Sequence, residues 1–182
     1  MGAFFGSIAI KTDNRDGVVK TIKESGEPMF IAGPIEGWLL LFLSDDFKIP
    51  EIAQRFSKEF NTVAVSGQVF DSDDFLFQVY DKGETVFDFI EDKTSGEGIS
   101  IKTGTVADLS GCTQESFDVT SLEDIFNKSY TFAEEKYQDV VKTLKLPNAL
   151  GNLWGFDYID SADDDGRPEE KEKDLPNLEK IF

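Results

Sequence analysis

The sequence predicts an α+β fold, with a mostly antiparallel β-sheet and helices packed on one of its faces. Strand-like and helix-like segments follow in the order strand, helix, two strands, helix, three strands, an order typical of this fold class. The step Asp81-Lys82-Gly83-Glu84 predicts a tight hairpin, because glycine supplies the positive φ that such a turn needs. A content of 40% hydrophobic residues, with 17 phenylalanines among 182 residues, is ample for a core.

The N-terminal segments alternate between strand and helix patterns. Residues 4–11 alternate enough to form a strand, and Asp13 or Asn14 can cap the short helix that follows. A strand pair is predicted at residues 29–32 and 37–43. The second of these strands is apolar on both faces, which is typical of a strand in the middle of a sheet that is covered above and below.

The middle of the chain continues this pattern. The turn between the paired strands is expected at residues 33–36, which contain a Gly-Pro step. An amphipathic helix is predicted at residues 50–60, with Pro50 at its start. Three strands follow at residues 62–70, 75–80 and 85–90. A long loop is expected at residues 91–117, with one short strand at residues 99–102.

The C-terminal third is predicted to return to helices and then to end in a charged tail. Ser121 and Thr131 begin two helices, and Pro147 ends the second. Between residues 157 and 174, nine acidic residues stand against three basic ones, a composition typical of a solvated segment. The sequence therefore predicts one α+β domain over residues 1–156 and an acidic, mobile tail over residues 157–182.

The composition excludes several classes of chemistry. The chain has no histidine, so it cannot form a Ser-His-Asp or Cys-His catalytic site or a metal site with histidine ligands. Its single cysteine, Cys112, cannot form an internal disulfide or a cysteine-rich zinc site. Sites built from carboxylates, lysine or tyrosine stay open. We expect no catalytic residues, no bound metal and no cofactor.

The charge of the chain limits its partners. The formal net charge is −18 at pH 7, whereas nucleic acids and anionic membranes call for clustered basic residues, so neither is expected. The longest strongly apolar run, residues 38–43, is far below the roughly 20 residues that span a bilayer. The first residues lack the basic and apolar regions of a secretory signal, which favours a cytoplasmic protein. An acidic surface favours a basic protein partner, although it also serves solubility alone.

Two acidic turns provide the candidate binding residues. Asp45 and Asp46 follow a predicted buried strand, and Asp71, Asp73 and Asp74 occupy the turn between two others. A role in turn formation is the simpler explanation for the Asp71–Asp74 turn. Our leading hypothesis is a non-catalytic module that binds a basic protein partner through these turns, as an immunity or inhibitor protein would bind a nuclease-like toxin. The alternative is a carboxylate-based enzyme that binds a metal or a sugar at the Asp71–Asp74 turn.

Residues 161–172 repeat part of the spacing of an EF-hand calcium loop. The third, fifth, sixth and twelfth places hold Asp, Asp, Gly and Glu. Ser161 at the first place and Pro168 in the place of an apolar residue depart from the motif. Calcium binding is therefore not expected at this segment.

A longer pattern joins several of these segments. A helix at residues 52–60 leads into residues 68–84, which contain a strand, an Asp-Ser-Asp turn and a hairpin closed by Gly-Glu. Residues 154–159 then read Trp-Gly-Phe-Asp-Tyr-Ile. The pattern resembles a recurring one in small bacterial proteins without an established activity. The resemblance covers about half of the chain and implies no activity, cofactor or site residue.

Overall fold

The protein is described by a computed structural model that covers residues 3–113, 116–152, 154–161 and 168–182. These residues form an eight-stranded antiparallel sheet together with helices, which confirms the predicted α+β class. The strands are β1 (Phe5–Ile10), β2 (Met29–Ile35), β3 (Trp38–Leu43), β4 (Val63–Phe70), β5 (Asp74–Asp81), β6 (Glu84–Asp92), β7 (Gly98–Thr103) and β8 (Glu179–Ile181).

The helices connect these strands and cover the sheet. They are α1 (Arg15–Ser25), α2 (Ile49–Glu59), α3 (Val119–Asn127), α4 (Ala133–Thr143), α5 (Asn148–Gly151), α6 (Phe156–Ser161) and α7 (Pro168–Asp174), with short 3-10 helices at Asp46–Lys48 and Val106–Gly111. The side chain of Asn14 caps α1 by accepting from the Gly17 N–H over 3.1 Å, and Gly26 ends α1 with a φ of 70°. Within the described ranges, no helix combines the length and apolar character needed to cross a membrane.

The strands lie in the order β7-β6-β5-β4-β1-β3-β2-β8. Elements β1 to β4, with α1 and α2, follow one another as β-α-β-β-α-β, and their strands lie in the order β4-β1-β3-β2. This is the split βαβ arrangement of ferredoxin-like folds. Strands β5, β6 and β7 extend it from β4 as a meander, and β8 pairs with the outer edge of β2.

Helices pack on both faces of the sheet, which corrects the prediction that they pack on one. Ile8 and Ile10 of β1 face a core that includes Val18 of α1, whereas Ala9 faces the opposite core with Tyr137 of α4. The N-terminal helices thus cover one face and the C-terminal helices cover the other. All six residues of β3 are buried, so its two-sided apolar pattern reflects this double cover.

Two connections differ in detail from the prediction. The β2–β3 turn lies at Glu36 and Gly37, with φ values of 52° and 80°, whereas the predicted Gly33-Pro34 step lies inside β2 at an irregularity in its pairing. Proline is tolerated there because the regular ladder is already interrupted. The segment predicted as a long loop contains β7, which includes the predicted short strand, and the 3-10 helix at Val106–Gly111.

The described residues of the predicted acidic tail pack on the domain. Ile159 and Leu175 are buried in the core under α4, and Ile181 is buried in the core under α1. Strand β8 is short, with three residues paired to β2. Residues 157–182 therefore contribute to both cores. The predicted mobility of this stretch stays a prediction.

Candidate binding surface

The two predicted acidic turns lie at the same end of the sheet. Strand β1 begins at this end, and β3 and β4 finish there because both are antiparallel to β1. The side-chain amide of Gln68, on β4, donates to the backbone carbonyl of Asp46 over 2.6 Å. The structure thus brings the Asp45–Asp46 turn and the Asp71–Asp74 turn to either side of the start of β1.

Three phenylalanine rings join these turns. Phe47 stacks on Phe70 with ring centroids 6.1 Å apart, and Phe4 meets Phe70 edge-on at 4.8 Å. Phe47 is 84% exposed and Phe4 is 49% exposed. Phe47 belongs to the 3-10 helix Asp46–Lys48, in which no residue is buried. We call the surface formed by Phe4, Phe47, Phe70, Asp45, Asp46, Asp71 and Asp73 the acidic end.

Asp45 is partly committed to local structure. Its Oδ1 accepts from the Phe47 N–H over 3.1 Å and so caps the 3-10 helix. Its Oδ2 lies 3.8 Å from Nζ of Lys48, which pairs more closely with Glu27 at 2.6 Å. Asp45 is half-buried, so its carboxylate still contributes negative charge to this surface.

Asp46 carries a half-buried carboxylate with no ion pair to another described residue. Burial raises the pKa of Asp46 to about 6, and the negative charges of Asp157 and Asp45 add to this effect. Asp157 lies in the first turn of α6, so these carboxylates approach from two separate elements. Asp46 is therefore mostly ionised at pH 7, at a free-energy cost that a nearby cation would reduce.

Asp71 and Asp73 are exposed, whereas Ser72 between them is buried and fixes the turn. Ser72 Oγ accepts from the Ala3 N–H over 2.6 Å and donates to Glu134 Oε1 over 3.0 Å. The Ser72 carbonyl also accepts from the N–H of Ala133, at the start of α4, over 2.8 Å. These bonds hold the turn, with φ values of 50° at Asp71 and 62° at Ser72, against α4 and the N-terminal segment.

Asp74 has a structural role apart from the other predicted residues. Its Oδ1 accepts from the backbone N–H groups of Lys93 and Thr94 over 2.8 and 3.1 Å. These bonds organise the chain between β6 and β7. The Asp74 carboxylate therefore already accepts hydrogen bonds within the protein, and we leave this residue out of the acidic end.

A metal centre does not emerge from the described residues. Within them, no group of three or more Asp, Glu, Cys or His side chains is arranged to hold a metal ion. This finding does not include the EF-hand-like segment, because its residues 162–167 lie outside the described residues.

A cleft of about 600 Å³ on the side of the C-terminal helices is a second concave feature. Asp174 lines it and accepts from Trp154 Nε1 over 3.2 Å and from Asn152 Nδ2 over 2.7 Å. Trp154 is itself buried, so its ring face does not form an open platform for a ligand. Asp174 thus accepts hydrogen bonds from two residues that line the same cleft.

Sequence reasoning missed the aromatic part of the acidic end. A large apolar residue within the polar run Asp45-Asp46-Phe47-Lys48 is the signal that could have indicated Phe47. Gln68 and Asp157 carried no local signal, because their proximity to Asp46 depends on the packing of distant segments. No protein-family model matches this chain, and no curated protein or solved structure matches it either.

Proposed function

We propose that this protein is a non-catalytic module that binds a basic protein partner at the acidic end. The observation that carries the proposal is Phe47, which is 84% exposed and stacks on Phe70 between two acidic turns. An exposed aromatic side chain contributes a large apolar area at low entropic cost, and such residues are enriched where proteins bind each other. A ring held in place by a second ring is partly organised before the partner arrives.

The acidic residues around the ring support a basic partner over an apolar one. Asp45, Asp46, Asp71 and Asp73 flank the rings, and the whole chain carries a net charge of −18. Such a surface speeds the encounter with a positively charged protein and slows the encounter with an acidic one. A second copy of this chain would bring the same charges together, so charge complementarity disfavours self-association through this end.

An intracellular immunity or inhibitor protein acts in the proposed way. It neutralises a basic, nuclease-like toxin by covering its surface, and it needs no catalytic residues of its own. Charges at the rim of such an interface mainly change the association rate, whereas a central aromatic residue mainly changes the dissociation rate. The two contributions can therefore be measured separately.

The proposal is tested with peptides selected from a random display library against the full chain. We expect enrichment of peptides with a net positive charge, and an association rate that falls about tenfold between 20 and 300 mM NaCl. Phe47→Ser should weaken binding at least about tenfold, since truncating a central aromatic contact commonly costs this much. The matched control is Ile101→Ser, which removes a 43% exposed apolar residue from the edge strand β7 and should leave binding unchanged.

Two results would contradict the proposal. The first is the selection of neutral or acidic peptides with an association rate that does not depend on salt. The second is equal binding by the Phe47→Ser variant, the Ile101→Ser variant and the unmodified chain. Either result would show that the exposed Phe47 ring is not a binding site for basic polypeptides.

A further inference from the structure

The N-terminal helices leave part of their side of the sheet uncovered. The core under α1 includes residues of β1 to β4, but from strands β5 to β7 it includes only Tyr80 among the described residues. Four phenylalanines of β5 and β6 are buried in the opposite core, under α4: Phe75, Phe77, Phe87 and Phe89. Successive residues of a strand point to opposite faces, so Leu76 and Ile90 point to the side of α1 and α2.

Three apolar side chains lie on this uncovered part. Phe70 of β4, Leu76 of β5 and Ile90 of β6 are half-buried, and neither core of the described residues includes them. Leu76 pairs directly with Ile90 across the two strands. Because Leu76 also pairs with Gln68, Phe70 is its diagonal neighbour on the same face, within reach of an aromatic side chain. We call the surface formed by Phe70, Leu76 and Ile90 the uncovered face.

The uncovered face continues directly from the acidic end. Phe70 belongs to both, because Phe47 stacks on its ring at 6.1 Å and Phe4 meets it edge-on at 4.8 Å. An apolar surface therefore runs from the exposed ring of Phe47 across three strands to Ile90. A contiguous apolar surface with a polar rim is typical of a site where another protein binds.

Carboxylates lie on both sides of this apolar surface. Asp88 and Asp92 stand two residues before and two residues after Ile90 on β6, so all three point to the same face. Asp88 Oδ1 accepts from Gln78 Nε2 over 3.0 Å. Asp92 Oδ1 accepts from the Ser95 N–H over 2.7 Å. Two residues of a strand span about 7 Å, so a fixed negative charge borders the apolar row at that distance on either side.

The cations of this half of the sheet lie elsewhere. Lys82 is in the β5–β6 hairpin, at the end of β5 opposite to the acidic end, and Lys102 is on the edge strand β7. Lys93 follows β6, but its ammonium donates to the Tyr130 carbonyl over 2.9 Å and lies 4.0 Å from Glu91. The Glu91 side chain is buried on the opposite face, against α4. The charge beside the uncovered face is therefore negative.

The strands under this surface cannot accept an added strand. Each of β4, β5 and β6 is paired with a neighbouring strand on both of its edges. Their backbone groups are thus already used in the sheet, and a partner segment that lies on the face must satisfy its own backbone hydrogen bonds. An α-helix does so within itself and presents its side chains outward.

We infer that the basic partner docks an amphipathic α-helix across the uncovered face, with its apolar stripe on Phe70, Leu76 and Ile90 and basic residues on both sides of the stripe. The inference rests on the proposed function and names the structural element through which the partner is held. Two strand spacings, about 10 Å, separate β4 from β6. Apolar residues at positions i, i+4 and i+7 of a helix span about 10.5 Å, so one stripe matches the three side chains.

The test uses three synthetic peptides of about 15 residues, since shorter helices are marginal in water. The first is an amphipathic helix of leucine, alanine and lysine, the second has the same composition in a scrambled order without a stripe, and the third has glutamate in place of lysine. NMR titration of the full chain follows the methyl signals of Leu76 and Ile90. We expect saturable shifts with the first peptide, binding at least about tenfold weaker with the second, and none with the third.

Paired variants locate the binding site. Leu76→Thr with Ile90→Thr should weaken the first peptide at least about tenfold while keeping residues that favour strands. The matched control is Ile99→Thr with Ile101→Thr. These side chains are 39% and 43% exposed, and they lie opposite Glu91 and Phe89 on the other face of the sheet, so binding should be unchanged.

A second pair of variants tests the charges and leaves the apolar side chains in place. Asp88→Asn with Asp92→Asn should weaken the first peptide about fivefold, because both carboxylates border the stripe. Asp13→Asn with Asp16→Asn removes the same charge from exposed positions beyond the opposite end of β1 and should leave binding unchanged. Equal binding of the amphipathic and scrambled peptides would overturn the inference, and so would full affinity in the Leu76 and Ile90 variant.

The outcomes separate this inference from the proposed function. If display-selected basic peptides require Phe47 but bind the Leu76 and Ile90 variant with full affinity, the helix-binding face is wrong and the binding module stands. If the amphipathic peptide binds through Leu76 and Ile90 while Phe47→Ser affects neither it nor the selected peptides, the proposed function is wrong and the helix-binding face stands.

Discussion

Replacing Lys136 with methionine is expected to destabilise the protein strongly, because it leaves a buried carboxylate without its main partner. Lys136 is 0% exposed on α4 and pairs with Glu91, which is 3% exposed on β6. The Lys136 ammonium also donates to the Phe126 carbonyl over 3.1 Å. Burial lowers the pKa of Lys136, whereas the bond to Glu91 acts in the opposite direction. Forming this ion pair therefore costs desolvation free energy, and removing one partner costs more because it leaves a buried charge unpaired.

The size of the effect follows from the groups left behind. Removing one partner of a buried pair commonly costs about 3–5 kcal/mol. Lys93 lies 4.0 Å from Glu91 and is partly exposed, so it can compensate in part, which places the expected loss near 3 kcal/mol. For a chain of this length, such a loss lowers Tm by roughly 6–12 °C. The double variant Lys136→Met with Glu91→Leu should regain most of it, because no buried charge remains.

Urea unfolding followed by circular dichroism measures these free energies directly. The matched control is Lys142→Met, which removes an exposed lysine from the same helix and should change the free energy of unfolding by less than about 0.5 kcal/mol. A loss below about 1 kcal/mol for Lys136→Met would refute the reasoning. So would a double variant less stable than the single one, since Glu91 would then not be the group left unpaired.

Three further predictions concern the ends and the centre of the sheet. Asp46→Asn should raise stability above pH 6 by up to about 1 kcal/mol relative to the unmodified chain, measured as Tm against pH. The sign follows because a carboxyl pKa raised to about 6 makes the folded state lose stability as the pH rises from 4 to 6, and partial exposure limits the size. We expect Tm to be insensitive to calcium, magnesium and manganese both in the unmodified chain and in the variant Asp71→Asn with Asp73→Asn. A metal-dependent rise in the Tm of the unmodified chain that this variant loses would support the carboxylate enzyme instead. Gly67→Ala should cost about 1–3 kcal/mol in urea unfolding, because its β-carbon would lie 2.9 Å from Cζ of the buried Tyr137 ring, and an unchanged midpoint would contradict this packing.

The sequence predicts correctly those elements that depend mainly on residues close together in the chain. The Lys82-Gly83 hairpin is confirmed, with φ values of 52° and 89° that match a turn with two left-handed residues. Helix α2 is confirmed because its apolar stripe and its early proline are both local signals. The buried character of β3 is confirmed because a strand covered on both faces needs a continuous apolar run.

The pairing of distant segments could not be predicted in this way. The amphipathic pattern of α4 shows that one side is buried, but not which face of the sheet it covers. Strand β8 has three residues, and its place beside β2 follows from pairing across more than 140 residues of chain. The sequence predicts Asp74 as a binding residue, since no local pattern indicates its bonds to Lys93 and Thr94. These bonds depend on the return of β6 to the same end of the sheet.

The double cover of the sheet supports the proposal that a partner binds at the acidic end. Both faces of the central strands are already packed, as the fully buried β3 shows. Among the described elements, the lateral edges are the short β8 on one side and β7 on the other, which carries Lys102 rather than a row of acidic residues. The strand ends remain, and at one of them Phe47 and its neighbouring carboxylates are held by bonds from β4 and α4. A partner that binds there meets a surface organised by the fold, so its affinity is not reduced by the cost of ordering a free loop.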